Sequence, residues 1–283
     1  MRFRERRTYD VLVVGGVYLD LNLAGELPLN RGSHGDHEVV GAEYGLSIGG
    51  SGFIFASVLR HLGLKPLLTA QVGDDLFGTY LQQQAARYRV AVDFLVRHGA
   101  LTNMSANATG TSNTSLSITA GTANQLLKPV DVLRHLEPRV PHSRALYIGS
   151  YMKMPQLAAA YARLARQAQR QGCLVILDHG SIHPRVSSTQ LSQLRALLPH
   201  VDYYLPNQEE LLRISRATSL SAGVRWCQRR TRATVVVKRG NAGVLVATAG
   251  GTTRVAAIKI PVVHTIGAGD SFNAGFIAGT LRG

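Results

Sequence analysis

Six short aliphatic runs recur along the chain, and each stops at a glycine, an asparagine or an aspartate. They stand in YDVLVVGG, KPLLTAQVG, RALYIGS, CLVILDHG, VDYYLPN and ATVVVKRG. In the first, Val11 to Val14 is an unbroken apolar stretch. A strand buried on both faces reads this way, because neither face has to meet water. Between several of the runs lie patterns with helical spacing. SGFIFASVLRHLG carries apolar residues at Phe53, Ala56, Leu59 and Leu62, with Gly63 as a stop. FGTYLQQQAARY, MPQLAAAYARLARQAQRQG and LSAGVRWCQRR read likewise. Strands alternating with helices predict an α/β layered domain with a mostly parallel sheet. Ligands of such sheets sit outside the carboxyl ends of the strands, so chemistry is sought there.

Two stretches break the alternation. Residues 21–47 are polar and glycine-rich, and residues 97–125 are rich in Ser, Thr, Asn and Gly. Neither has the apolar content of a core helix, while NTSLSITAG alternates like a half-buried strand. Both are expected to form a small β-flap. The 283 residues, 45% hydrophobic, suffice for a sizeable core. There is no internal repeat or Pro-rich linker. No apolar run approaches the ~18 residues of a membrane span. The basic opening MRFRERRTYD lacks the apolar core of a secretory signal. Cys173 and Cys227 are not in a metal-type spacing, and a reducing, cytoplasmic setting is expected.

The net charge of +14 raises the question of a nucleic-acid partner. The arginines are scattered through MRFRERR, ARLARQAQRQ and RWCQRRTR, with no aromatic-interleaved basic stripe. Solvated faces and attraction for a small anionic ligand are the preferred reading, and no specific nucleic acid is expected.

The chemistry concentrates in a few motifs. In HTIGAGDSFNAGF, small residues precede a helix-compatible run. A helix starting near Ala268 would aim free N–H groups at an anion. Asp270 would then lie in the first turn, able to take a proton from a hydroxyl attacking a bound phosphoryl group. A plain tight turn with a helix-start aspartate is the competing reading. Gly49, Gly50 and Gly52 precede an amphipathic helix, and fit any strand-to-helix turn. GGVYLDL lacks the third glycine of a dinucleotide fingerprint, leaving Asp20 as a carboxylate beyond a strand end. In VDYYLPNQEE, Asn207 and Glu210 fit a capping box, or an oxygen-rich site for hydrated Mg²⁺. In VVVKRGNAGVLV, Lys238, Gly240 and Gly243 connect two strands, as in a hairpin.

Taken in order, these motifs resemble the ribokinase-like (PfkB) carbohydrate kinase family over the whole length from Asp10 to Gly283. TIGAGDSFNAGF is the most specific part; GGSGFIFASVLRHLG, QVGDDLFG, PNQEE and VVVKRGNAG support it. The resemblance implies a three-layer α/β/α domain over 1–283 with an inserted β-flap that closes over the sugar. It implies transfer of the ATP γ-phosphoryl group to a hydroxyl of a sugar or nucleoside. Asp270 matches the family's base, and the Gly267, Ala268 and Gly269 amides its anion hole. Asp20, Gly49 and Gly50 fall where substrate hydroxyls are held. Asn207 and Glu210 match the Asn-x-x-Glu motif linked to phosphates and water-bridged Mg²⁺. Lys238 and Gly240 lie where the nucleotide is met. The flap often pairs subunits, so a homodimer through it is expected.

Some positions depart from the family pattern. His264 stands where Asp is usual, and a neutral imidazole is a poor potassium ligand, which argues against monovalent-cation activation. Ile54 replaces an Asn, and Tyr18 stands where Asn is common. Together they favour a less polar acceptor, such as a nucleoside or deoxy-sugar. Asp178 is kept at a strand end without the Asn and Arg spacing of acid-sugar members. Family members continue with helices that wall the adenine pocket, and that part is expected to be missing from the chain. A non-catalytic sugar- or nucleoside-binding relative is the alternative; the intact Thr265–Phe272 signature opposes it.

Overall fold

The aliphatic runs pair side by side, as their burial on both faces requires. The structure is a computed structural model, and it describes residues 8–24, 43–109, 115–181, 186–261 and 265–283. Its strands are β1 (Tyr9–Val14), β2 (Tyr18–Ala24), β3 (Glu43–Gly49), β4 (Pro66–Gly73), β5 (Ala91–Arg97), β6 (Met104–Thr109) and β7 (Ser115–Ala120). They continue with β8 (Ser143–Ile148), β9 (Leu174–Leu177), β10 (Tyr203–Tyr204), β11 (Thr234–Lys238), β12 (Val244–Thr248) and β13 (Gly251–Val255). The helices are α1 (Ser51–His61), α2 (Leu76–Arg87), α3 (Ala123–Leu126), α4 (Pro129–Leu136) and α5 (Ala158–Arg170). After them come α6 (Ser188–Leu197), α7 (Gln208–Ser215), α8 (Leu220–Gln228) and α9 (Ala268–Arg282).

The large sheet runs β13-β12-β11-β10-β9-β8-β1-β4-β5. It is parallel from β5 to β11, and β12 and β13 close it as an antiparallel edge. Residues alternate between two cores. Leu12 and Val14 of β1 face the core built with α4 to α8, whereas Val11 and Val13 face that built with α1, α2 and α9. The alternation of elements predicts this layering and the mostly parallel sheet, and the resemblance implies the three layers. The hairpin expected in VVVKRGNAGVLV is β11–β12. The helices α4 and α6 are not among those the spacing picks out. Pro129 opens the first, and Pro199 follows the second.

A second sheet, β3-β2-β6-β7, forms the flap. It begins at Tyr18, upstream of the polar stretch, because β2 follows β1 after only Gly15-Gly16-Val17. The stretch 97–125 is divided in its roles. Arg97 ends β5 in the large sheet, and α3 is held down by Gln71 Nε2 donating to the Ala123 carbonyl at 2.7 Å. Pleat alternation gives the flap two different faces. Asp20, Ser47, Ser105, Asn107 and Ser117 lie in register on one. Leu21, Leu46, Ala106 and Ile118 lie in register on the other, where Leu46 and Ile118 are exposed together with Tyr44.

Glycines set the join between the two sheets. A Cβ on Gly52 would lie 2.7 Å from the Gly15 carbonyl carbon, so α1 rests backbone-to-backbone on the end of β1. The Gly52 N–H donates to the Gly16 carbonyl at 3.2 Å. Gly50 makes the turn with φ +89°, a conformation that favours glycine.

Candidate active site

A cavity of about 880 Å³ opens at the carboxyl ends of β1, β8, β9 and β11, beneath the flap. Asp20, Gly50, Asn207, Glu210, Lys238, Gly240, Gly267, Ala268, Gly269 and Asp270 all line it. Gly49 does not; it acts from behind. A Cβ there would overlap the Asp20 carboxylate, so Gly49 makes the room in which Asp20 sits. His264 lies outside the described residues.

The helix α9 begins at Ala268, with Gly267 as its cap at φ 75°. A Cβ on Gly267 would come within 3.0 Å of the Ile54 side chain, so Ile54 presses on the anion loop. The Ser271 N–H donates to the Gly267 carbonyl. The Ala268 N–H donates to the Thr265 carbonyl at 3.2 Å, so this amide, expected in the anion hole, is already engaged. Among the described residues the Gly269 and Asp270 amides find no acceptor. Free N–H groups at a helix start are what an anion needs.

Around Asp270 the site is crowded with acids. Lys238 Nζ donates to Asp178 Oδ2 at 2.9 Å and to Asn273 Oδ1 at 3.1 Å. Asn273 Nδ2 in turn donates to Asp178 and to the Tyr147 hydroxyl. Burial pushes Asp178 up, but Lys238 more than offsets this, and the carboxyl is held below its ordinary range. Asp270 goes the other way. Burial first, then the Asp178 charge, raise it to about 7 against the pull of Lys238 and Lys153. Glu210 is likewise raised to about 7, by burial and then by Asp178.

Asn207 and Glu210 form the capping box of α7. Asn207 Oδ1 accepts from the Glu210 N–H and Glu210 Oε2 from the Asn207 N–H, both at 2.8 Å. The capping reading and the cavity reading hold together, because Glu210 Oε1 is left without a donor among the described residues. His179 lies behind, fully buried, edge-on to Tyr204, with both ring nitrogens unbonded among the described residues. Burial lowers its pKa to about 4, so it is neutral. Ligand atoms of Asp178, His179 and Glu210 lie within 4.8 Å of one another. Three carboxylates facing a single ammonium leave an excess of negative charge that suits a hard dication. Glu210 and Asp178 are the oxygen ligands that line the cavity, and His179 does not.

The other two ends of the cavity differ in chemistry. Under the flap lie Tyr18, Asp20, Ser105, Asn107, Ser117, Thr119 and Lys153. Burial raises Asp20 to about 6, opposed by Lys153. The far end, beyond Gly240 and Gly243, is walled by Val244, Val255, Ala256, Ile258 and Ile260. A Cβ on Gly243 would overlap the Val255 carbonyl, so this glycine lets the wall close in. Asn273 and Lys153 are site residues that the motif reading passes over. Asn273 carried a signal, standing one helical turn after Asp270. Lys153 carried none, lying in an irregular stretch.

A carboxylate at the free start of a helix, beside an anion cradle and between a polar and an apolar pocket, defines a phosphotransferase site acting on an alcohol. The chain belongs to the pfkB family of carbohydrate kinases, whose model matches residues 10–283. It is 25% identical to 5-dehydro-2-deoxygluconokinase of Geobacillus thermodenitrificans, over 99% of this chain and 84% of that one. It is 27% identical to fructoselysine 6-kinase of Escherichia coli, over 83% and 82%. In fold it matches ribokinase from Giardia lamblia with a TM-score of 0.82 at 18% identity, over 97% of this chain and 83% of that one. Adenosine kinase from Sinorhizobium meliloti matches at 0.80 and 21%, over 97% and 88%. The protein is an ATP-dependent sugar kinase. No helix among the described residues is long and apolar enough to cross a membrane.

The Asp270 environment has a measurable consequence. Its carboxyl ionises near 3.8 when unperturbed but near 7 in the folded protein. Its contribution to stability therefore declines as pH rises through that window and is least favourable above it. Asp270→Asn removes the penalty. The variant is expected to melt higher than wild type at pH 8, by about 2–4 °C per kcal/mol relieved, with the gap narrowing by pH 5. Calorimetric melting at the two pH values checks this; a gap independent of pH would refute the assignment.

Proposed function

We propose that Asp270 is the general base of sugar phosphorylation. The observation that carries this is its position in the first turn of α9, beside the free Gly269 and Asp270 amides. Asp270 takes the proton of the acceptor hydroxyl as the oxygen attacks the γ-phosphorus of ATP, and ADP leaves. The amides, with Gly267 making the turn, stabilise charge on the transferring group. A base ionising near neutrality is matched to this task. Asp20, backed by Gly49 and beside Gly50, accepts hydrogen bonds from acceptor hydroxyls and orients them. Gly240 and the apolar wall from Val244 to Ile260 face the nucleotide base. Lys238 orders Asp178 and Asn273 beneath the phosphates, and the remaining amide hydrogens of Asn207 are available to phosphate oxygens. Glu210 would hold Mg²⁺ through water, and the ion would supply charge neutralisation at the phosphates. The flap covers the acceptor and excludes competing water.

Asp270→Asn is expected to lower kcat by about 10²–10⁴-fold while sparing acceptor binding. In wild type, kcat/KM should climb with pH up to about 7 and then level off, as the base ionises. A coupled ADP-release assay across pH reads both; unimpaired turnover by the variant would sink the role.

Glu210→Gln keeps an oxygen for the capping box but loses the charge. The half-saturating Mg²⁺ concentration should rise about 10-fold, with little change in melting temperature at pH 5, where the Glu210 carboxyl is protonated in the folded protein. An unchanged Mg²⁺ response would leave Glu210 a cap only.

The exposed apolar outer face of the flap supports pairing of two copies through it. Sedimentation should find a dimer for wild type and a monomer for Leu46→Glu. A wild-type monomer at micromolar concentration would refute the pairing.

A further inference from the structure

Three cationic side chains line the cavity, and two of them are committed. Lys238 is paired with Asp178, and Arg239 Nε donates to Gln208 Oε1 at 3.0 Å. Lys153 has no hydrogen bond or ion pair among the described residues. Its ammonium stands 5.5 Å from the centre of the Tyr18 ring, at the flap end of the cavity.

The main chain delivers Lys153 to this place. It ends a 3-10 turn, Tyr151–Lys153, that follows directly on the end of β8. The turn is entered through Ser150 in the left-handed region at φ 54°, a conformation that costs a non-glycine residue about 1 kcal/mol or more. The Ser51 hydroxyl meets that of Ser150, and the Met152 N–H donates to the His179 carbonyl at 3.0 Å. Tyr151 and Met152 are buried as anchors, which leaves Lys153 as the member of the turn that faces the cavity.

Its charge is not used up by the acids nearby. Lys153 pulls on both Asp20 and Asp270, yet forms an ion pair with neither, and burial still holds Asp20 near 6. A neutral sugar would need only the hydroxyls and amides that the flap offers, such as Ser105, Asn107 and Thr119. An unpaired ammonium beside them calls for an anion, since charge-assisted hydrogen bonds are the strong ones. The net charge of +14 favours the approach of such a ligand.

We propose that Lys153 forms an anion subsite on the acceptor side, and that the acceptor is a sugar with a fixed negative charge, a carboxylate or a phosphate ester. This rests on the kinase reading above and deepens it. It also revises the expectation of a less polar acceptor. Tyr18 and Ile54 pack against the carbon skeleton, while the charge goes to Lys153.

The test compares matched acceptors: D-gluconate with D-glucose, and D-fructose 6-phosphate with D-fructose. Wild type should favour the charged member of one pair by at least about tenfold in kcat/KM, and which pair responds tells carboxylate from phosphate. Lys153→Met, which keeps the stem over Tyr18, should lose that preference through KM when assayed at pH 9, where Asp270 is ionised with or without the Lys153 charge. Lys153→Arg should restore it. Calorimetry without nucleotide should find gluconate or fructose 6-phosphate binding to wild type and lost in Lys153→Met. Preference for the neutral sugars, or equal binding of the charged ones by both proteins, would overturn the subsite. A kcat loss shared by all acceptors at pH 9 would also overturn it, because Lys153 would then be acting on the transferring phosphoryl group. Wild type turning over none of the four sugars would count against the kinase reading instead, and binding by calorimetry would still decide on Lys153.

Discussion

A single ammonium, Lys238 Nζ, is buried among Asp178, Glu210 and Asp270, and the site is organised by that imbalance. Lys238 at the end of β11 holds Asp178 at the end of β9, and Asn273 of α9 bonds both. Through Tyr147 the same asparagine reaches β8. One network thus pins the start of α9 over three strands. Removing one partner of such a buried pair costs about 3–5 kcal/mol, because the survivor is left uncompensated. The network is also selective in what it satisfies. Asp178 takes the positive charge and stays ionised, while Asp270 and Glu210 are left with raised pKa values. A base that titrates near neutrality and a carboxylate in need of a cation both follow from one shortage of positive charge.

The second constraint is how closely backbones approach at the end of β1. Gly15 lies against Gly52, and Gly50 turns beside the Gly16 carbonyl. Side chains at these points would lift α1 off the sheet. Ile54, on the first turn of α1, would then no longer pack on Gly267. The anion loop is therefore supported from two sides, by hydrocarbon from α1 and by the polar network from the strand ends.

Much of this was legible in the sequence because it rests on local rules. The aliphatic runs predict the buried strands, and strict alternation within β1 sends Val11 and Leu12 to opposite cores. The start of α9 was legible from GAGD, and the Asn207–Glu210 capping box from its spacing. What stayed hidden depends on contacts between distant segments. The pairing of Lys238 with Asp178 spans 60 residues, and nothing near Lys238 announces that its ammonium turns inward. Lys153 is placed by a strained serine whose hydroxyl meets that of Ser51, far upstream. The role of Gly49 is similar: its neighbour in space is Asp20, across β2 and β3.

The flap has a further consequence. Six of its side chains, Tyr18, Asp20, Ser105, Asn107, Ser117 and Thr119, line the cavity, and all belong to the small sheet. The Lys238 network lies outside it, at the strand ends of the large sheet and on α9. Substitutions on the inner face of the flap can therefore reshape what is recognised without reaching the groups that move the proton and the phosphoryl group. Such a division lets descendants of one ancestral chain exchange substrates by point changes in a few strands, while the inherited chemistry is left intact.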